Sequence, residues 1–325
     1  MTDKVEHPKL TLYARMFGWA NLGIVAAFVI NVFLTNAGGM PGAALLSNAT
    51  GASAWIQAAL YPAVMAIAVL FVLRAPDMTL RAEADRITEL NNFIIRAAFW
   101  SVFIIGVVDA AVTFLRVEGM LTIFIGEDLN RELGRSQFRG TYIHIPLIIV
   151  SIGLAAVTRT LGFIWLSLLI VIAELLIVFS RFVFSYEQAF IADLVRFWYA
   201  ALFLFASAYT LVEEGHVRVD VFYASFKDKT KGFVNAIGTL TMGIVFCWTI
   251  LIVGMSGKNS IINSPVFNFE VTQSSFGMYV KYMMAAFLGI FAISMMVQFT
   301  SYLLCAIADW RGDPGHVDHE SVSIA

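Results

Sequence analysis

Charged residues are scarce in this sequence. Asp, Glu, Lys and Arg make up 14% of the 325 residues, whereas 59% are hydrophobic. Soluble domains contain about 25% charged residues. The composition, with a mean hydropathy of +0.80, therefore predicts a membrane protein with several spans. The formal net charge of −2 argues against a nucleic acid partner, because phosphate binding requires a basic surface.

The residue types that bind metals and cofactors are also few. Cys247 and Cys305 both lie within apolar stretches, which indicates core residues rather than a disulfide or a metal site. A dihaem protein needs histidines that face each other across spans, but only His144 touches a predicted span, at its edge. HExxH, the phosphate-binding P-loop and a mid-span lysine are all missing. We therefore expect no catalytic residue, no cofactor and no metal site.

Long apolar stretches account for most of the chain. A membrane helix needs about 20 mostly apolar residues, which predicts an all-α integral membrane protein with both termini cytoplasmic. The first span follows basic residues and is too long for a signal peptide, so we expect it to be uncleaved. The predicted spans are eight, at about residues 16–35, 54–73, 97–115, 142–158, 161–180, 197–212, 234–255 and 279–305.

The region 142–180 allows two interpretations, because Arg159, Thr160 and Gly162 interrupt a continuous apolar stretch. An arginine in the middle of a membrane is costly, which favours a tight hairpin over one very long helix. The connecting segments 79–96 and 119–138 have amphipathic patterns. They predict a cytoplasmic helix leading into the third span and a helix lying in the membrane interface.

Asp109 and Glu174 are ionisable residues inside predicted spans. Such residues are rare and are functional candidates, for example as a proton or cation relay. The alternative is a structural hydrogen bond between helices, and we favour it for both residues. Glu174 has no second carboxylate or lysine nearby in the sequence.

Three charged clusters at the ends of spans carry a family resemblance. Ser180-Arg181-Phe182-Val183-Phe184 closes one span, and Asp193-Leu194-Val195-Arg196 precedes the next. Glu214-Gly215-His216-Val217-Arg218-Val219-Asp220 then follows that span. Their order and spacing make residues 160–312 similar to the small membrane subunit (DctQ-type) of tripartite ATP-independent periplasmic (TRAP) transporters. Departures occur at Phe182, where the family usually has tyrosine, and at Ala192, where an acidic pair is reduced to one residue.

The resemblance implies a division of the chain and a set of partners. Residues 1–159 form a four-span N-terminal extension, 160–312 a four-span small-subunit module, and 313–325 a disordered tail. The implied function is a non-catalytic scaffold for a large, elevator-type membrane subunit in sodium-driven uptake of an organic acid across the bacterial inner membrane. The residues expected at the subunit interface are Arg181, Asp193, Arg196, Glu214, Gly215, His216, Arg218 and Asp220.

A polar segment at residues 256–278 is expected on the periplasmic side. We predict that Asn263, Asn268 and Glu270 in this segment help to dock the periplasmic substrate-binding protein. Two other classes of function stay open at this point. One is a membrane anchor or assembly subunit of a redox or other membrane enzyme complex, and the other is a carrier that works alone.

Overall fold

In a computed structural model of the protein, every regular element of the described residues is helical. The structure describes residues 8–46, 48–159, 162–186, 189–212, 223–271 and 277–315. A 3₁₀ turn at Tyr223–Ser225 accompanies the longer helices. These are α1 Pro8–Asn36, α2 Ala52–Leu73, α3 Leu80–Val117, α4 Leu121–Leu133, α5 Ser136–Val157, α6 Phe163–Phe184, α7 Ala189–Val212, α8 Asp228–Met255, α9 Asn263–Phe267 and α10 Lys281–Arg311.

Eight of these helices are long and apolar enough to cross a membrane, by the length and composition of the described residues. They are α1, α2, α3, α5, α6, α7, α8 and α10, and they correspond one to one with the spans predicted from the sequence. The prediction of an all-α integral membrane protein is therefore confirmed. The helices α4 and α9 are short connecting elements.

The chain breaks between α5 and α6, as the hairpin interpretation predicts. Gly162, the residue before α6, has a φ of +79°, a left-handed conformation that glycine adopts without steric cost. A Cβ atom on Gly162 would also lie 2.3 Å from the ring of Phe99. Both the backbone conformation and this close approach therefore require glycine at the turn.

The amphipathic segment 79–96 continues directly into the third span, so that α3 is one helix of 38 residues. Leu80, Ala84 and Ile87 are buried as the pattern predicts. Glu83 is a charged residue of the same segment, and the charged face of an amphipathic helix is expected to face water. Glu83 is fully buried, because an arginine of α1 pairs with it.

The chain divides into two compact units, each built from separate stretches of sequence. The first comprises Met1–Glu89, His216–Cys247 and Met296–Ala325, and the second comprises Leu90–Gly215 and Trp248–Met295. Each unit contains residues from both sides of the boundary predicted at 159/160. Each unit therefore contains residues of both the predicted N-terminal extension and the predicted small-subunit module.

Candidate functional site: a buried ionic cluster around Asp109

The second unit contains a buried cluster of polar side chains centred on Asp109 of α3. The carboxylate of Asp109 is fully buried. Its Oδ1 accepts hydrogen bonds from Arg139 Nη1 at 2.9 Å and from His144 Nε2 at 3.1 Å. Its Oδ2 accepts the backbone N–H of Tyr279 at 3.0 Å. A carboxylate with an ionic partner and additional donors can be accommodated in an apolar interior.

Arg139 precedes a π-helical turn at the beginning of α5, and His144 is the last residue of that turn. The turn runs from Gly140 to His144, and its wider winding brings side chains five positions apart onto the same side of the helix. Single π turns within α-helices are frequently found at functional sites. A Cβ atom on Gly140 would lie 2.2 Å from the ring of Phe269. Glycine therefore lets Phe269 pack closely beside Arg139 and His144, the two side chains that bond Asp109.

Tyr282, in the first turn of α10, completes the cluster. Its hydroxyl lies 2.6 Å from His144 Nδ1, and its ring is buried. One arrangement of protons satisfies both bonds of the imidazole: His144 Nε2–H donates to Asp109, and Nδ1 accepts the hydroxyl proton of Tyr282. In this arrangement the imidazole is neutral, and the charge of Asp109 is balanced by Arg139.

The guanidinium of Arg139 is held by more than its carboxylate partner. Nη1 also donates to Thr113 Oγ1 at 3.0 Å, and Nε donates to the carbonyl of Leu133 at 3.1 Å. The guanidinium carbon lies 4.2 Å from the centre of the Tyr279 ring, within the range of a cation–π contact. The side chain is only 1% exposed, so these contacts replace its hydration.

The cluster joins three parts of the second unit: α3, the beginning of α5, and the segment that leads into α10. Each charged group has its partner inside the cluster, and the donors and acceptors are matched. A fully satisfied network of this kind fixes the relative positions of the elements that carry it. The structural role of Asp109 stays a prediction that substitution of this residue tests.

A second buried ion pair occurs in the first unit, between α1 and α3. Arg15 Nε lies 2.6 Å from Glu83 Oε2, and their side chains are 1% and 0% exposed. Trp19 donates to the other carboxylate oxygen at 2.9 Å, and Arg15 Nη1 donates to the carbonyl of Ala75 at 2.8 Å. The arginine thereby also satisfies a carbonyl of the turn between α2 and α3.

The described residues of the predicted subunit interface lie near the ends of α6 and α7. Arg181 is exposed in the last turn of α6. Asp193 is buried, and its carboxylate accepts the backbone N–H of Met278 at 3.2 Å. Arg196 is exposed, and its Nη1 lies 3.6 Å from Asp193 Oδ1. The remaining interface residues Glu214, Gly215, His216, Arg218 and Asp220, and residues 316–325 of the predicted tail, lie outside the described residues.

The predicted docking residues differ in their surroundings. Asn268 and Glu270 are exposed, and Glu270 pairs with Lys281 at 2.8 Å. Asn263 is 1% exposed, and its amide donates to the carbonyls of Met255 and Gly257. The side chain of Asn263 therefore holds the turn after α8.

Glu174 is exposed near the middle of α6. We expected a hydrogen bond to another helix, but no residue in the described part of the chain makes a hydrogen bond or ion pair with it. In this respect Glu174 differs from Asp109, whose partners are all within the chain.

The sequence pattern missed Arg139, His144 and Tyr282 as partners of Asp109. Arg139 precedes the span predicted at 142–158, whereas the structure places Arg139 in α5. The only available signal was a basic residue and a histidine five positions apart at the edge of a span. Two other arginines lie just before α5 and form pairs at the surface. Arg131 pairs with Asp128 at 2.7 Å, and Arg135 pairs with Glu132 at 2.9 Å.

The comparison with known families gives one match. Residues 168–309 match the family described as "Tripartite ATP-independent periplasmic transporters, DctQ component". The match covers less than half of the 325 residues. No curated protein and no solved structure matches the chain.

The boundaries of the match divide the buried cluster. Asp109, Arg139 and His144 precede the matched region, whereas Tyr279 and Tyr282 lie inside it. The cluster therefore joins residues that precede the matched region to residues within it. Residues 168–309 of this chain are therefore similar to the DctQ component of TRAP transporters.

Proposed function

We propose that this chain is the small membrane subunit of a TRAP transporter in a bacterial inner membrane. It acts as a non-catalytic scaffold for a large, elevator-type membrane subunit that carries the substrate and sodium sites. It also helps to dock a periplasmic binding protein that captures an organic acid. Both termini lie in the cytoplasm in this arrangement.

The match of residues 168–309 to the DctQ family carries this proposal. Polar contacts between the extension and the matched region support the scaffold role. Asp109 binds the Tyr279 backbone in the second unit, and in the first unit Arg81 pairs with Asp309 at 2.7 Å and Thr88 bonds Ser301 at 2.8 Å. A rigid scaffold needs such satisfied contacts, because each one restricts the movement of the helices it joins.

Purification of this chain from its native membranes tests the proposal. We expect it to bring down a larger polytopic subunit with a TRAP large-subunit sequence, and to show no visible absorption band. A redox enzyme complex with a chromophore would instead support the membrane-anchor function. Uptake by this chain alone in liposomes would support a carrier that works without partners.

A further inference from the structure

The helix α6 has a largely uncovered surface. Its buried residues are Leu166 and Ala173. Only 11% of the apolar stretch of this helix is buried. That share is the smallest among the eight candidate spans of the described residues. Most of the exposed side chains on α6 are apolar, as expected for contact with lipid or with another membrane protein.

Three polar side chains interrupt this apolar surface at intervals of seven residues. Ser167, Glu174 and Arg181 are all exposed. Seven residues correspond to nearly two turns of an α-helix, so the three lie on one face. We call this face the 167/174/181 face. Ser167 bonds the carbonyl of Phe163 in its own helix at 3.0 Å, whereas Glu174 has no partner among the described residues.

The position of Glu174 makes its exposure costly. It is the twelfth of the 22 residues of α6, about 15 Å from either end of the helix. A side chain as short as glutamate cannot reach the membrane surface from there. Arg181 lies in the last turn, and a long arginine near a helix end can extend to the interface. Charged residues in the middle of a span almost always face a protein partner or a water-filled cavity.

We propose that the 167/174/181 face binds a membrane helix of the large transporter subunit, which presents a basic or amide side chain to Glu174. This inference rests on the proposed function and adds the location of the contact. Charge complementarity specifies the occupant, because a donor in the partner would satisfy the carboxylate of Glu174. The seven-residue spacing matches the left-handed packing of neighbouring membrane helices.

A second copy of this chain fits the face less well. A symmetric dimer presents the same surface on both subunits. Since Glu174 is central in α6, symmetric pairing through this face would bring the two carboxylates together. A donor-bearing helix of a different subunit avoids this repulsion.

The test uses the full-length chain with the Glu174→Leu substitution, expressed with the polytopic subunit that co-purifies with the wild-type chain. We expect the yield of that subunit per molecule of this chain to fall about tenfold, the effect of losing about 1.4 kcal/mol of binding energy. The melting temperature of the isolated chain should not fall, because the substitution removes a carboxylate from an apolar surface. Glu174→Gln, which keeps hydrogen-bonding atoms, should have a smaller effect on the yield.

Phe179→Leu is the matched control. Phe179 is 59% exposed on the same helix, turned about 140° away from Glu174, so its substitution should leave the yield unchanged. An undiminished yield with Glu174→Leu would overturn the inference. So would equal losses with Phe179→Leu, or loss of self-association of this chain with Glu174→Leu. If the wild-type chain brings down no large subunit, the proposed function itself fails.

Discussion

At the scale of single residues, burial determines which charges matter for stability. The pair between Asp109 and Arg139 is 0% and 1% exposed, whereas the pair between Asp128 and Arg131 is 94% and 70% exposed. Removal of one member of a buried pair leaves an uncompensated charge in an apolar environment and costs about 3–5 kcal/mol. An exposed pair contributes about 1 kcal/mol or less.

We therefore predict that Asp109→Asn strongly destabilises the chain, by about 3–5 kcal/mol. Asp128→Asn, the matched control on the surface, should change stability by less than about 1 kcal/mol. The fraction of chain that stays monodisperse in detergent after heating measures both effects. Equal behaviour of the two variants would argue against a structural role of the buried cluster.

A second prediction at this scale concerns Asp193. Its carboxylate accepts the backbone N–H of Met278, so Asp193→Ala leaves a buried donor without its partner, at a cost of about 1–3 kcal/mol. Arg196→Ala removes a side chain that is 72% exposed and should cost little. Thermal unfolding of the two variants compares the effects. A larger loss from Arg196→Ala would mean that the ion pair, and not the backbone contact, is the important one.

At the scale of elements, the π turn of α5 positions Arg139 and His144, which bond the carboxylate of Asp109. Gly140→Ala would bring a Cβ atom to 2.2 Å from Phe269, and overpacking of this kind costs about 1–3 kcal/mol. Gly153 lies on the same helix with open space around it, so Gly153→Ala should be neutral or slightly stabilising. Melting temperatures of the two variants test this directly. Equal tolerance of both substitutions would show that the close approach of Phe269 is unimportant.

The helices themselves were predictable from the sequence, because a membrane helix follows from a run of apolar residues of sufficient length. The break at Gly162 was predictable for a related reason, since Arg159 could not lie within a span. The partners of Asp109 were not predictable, because Arg139 and Tyr282 are far from it in sequence and no local pattern connects them. The same applies to Glu83, whose partner Arg15 lies 68 residues away.

At the scale of the whole molecule, residues before and within the DctQ match share polar contacts in each unit. Arg81 of α3 pairs with Asp309 of α10 in the first unit, and Asp109 binds the Tyr279 backbone in the second. We predict that a shortened chain beginning at residue 160 folds poorly, because Tyr282 loses its hydrogen bond to His144 and Asp309 loses its ion pair with Arg81. Size-exclusion chromatography in detergent should show aggregation of the shortened chain and a single peak for the full chain.

A well-behaved shortened chain would contradict this prediction and would make the extension a separable addition. The prediction concerns stability alone and does not depend on the identity of the substrate. Co-expression of residues 1–159 as a separate polypeptide provides the control. If the contacts across the boundary are sufficient, the two pieces should co-purify and the single peak should return.

The central claim is that this chain supports transport without carrying it out. Sodium-dependent uptake of labelled organic acids into liposomes tests it most directly, with this chain, its co-purifying large subunit and the periplasmic binding protein added in all combinations. We expect uptake only when all three are present, and none with this chain alone. Uptake by this chain alone, or full uptake in its absence, would contradict the scaffold function.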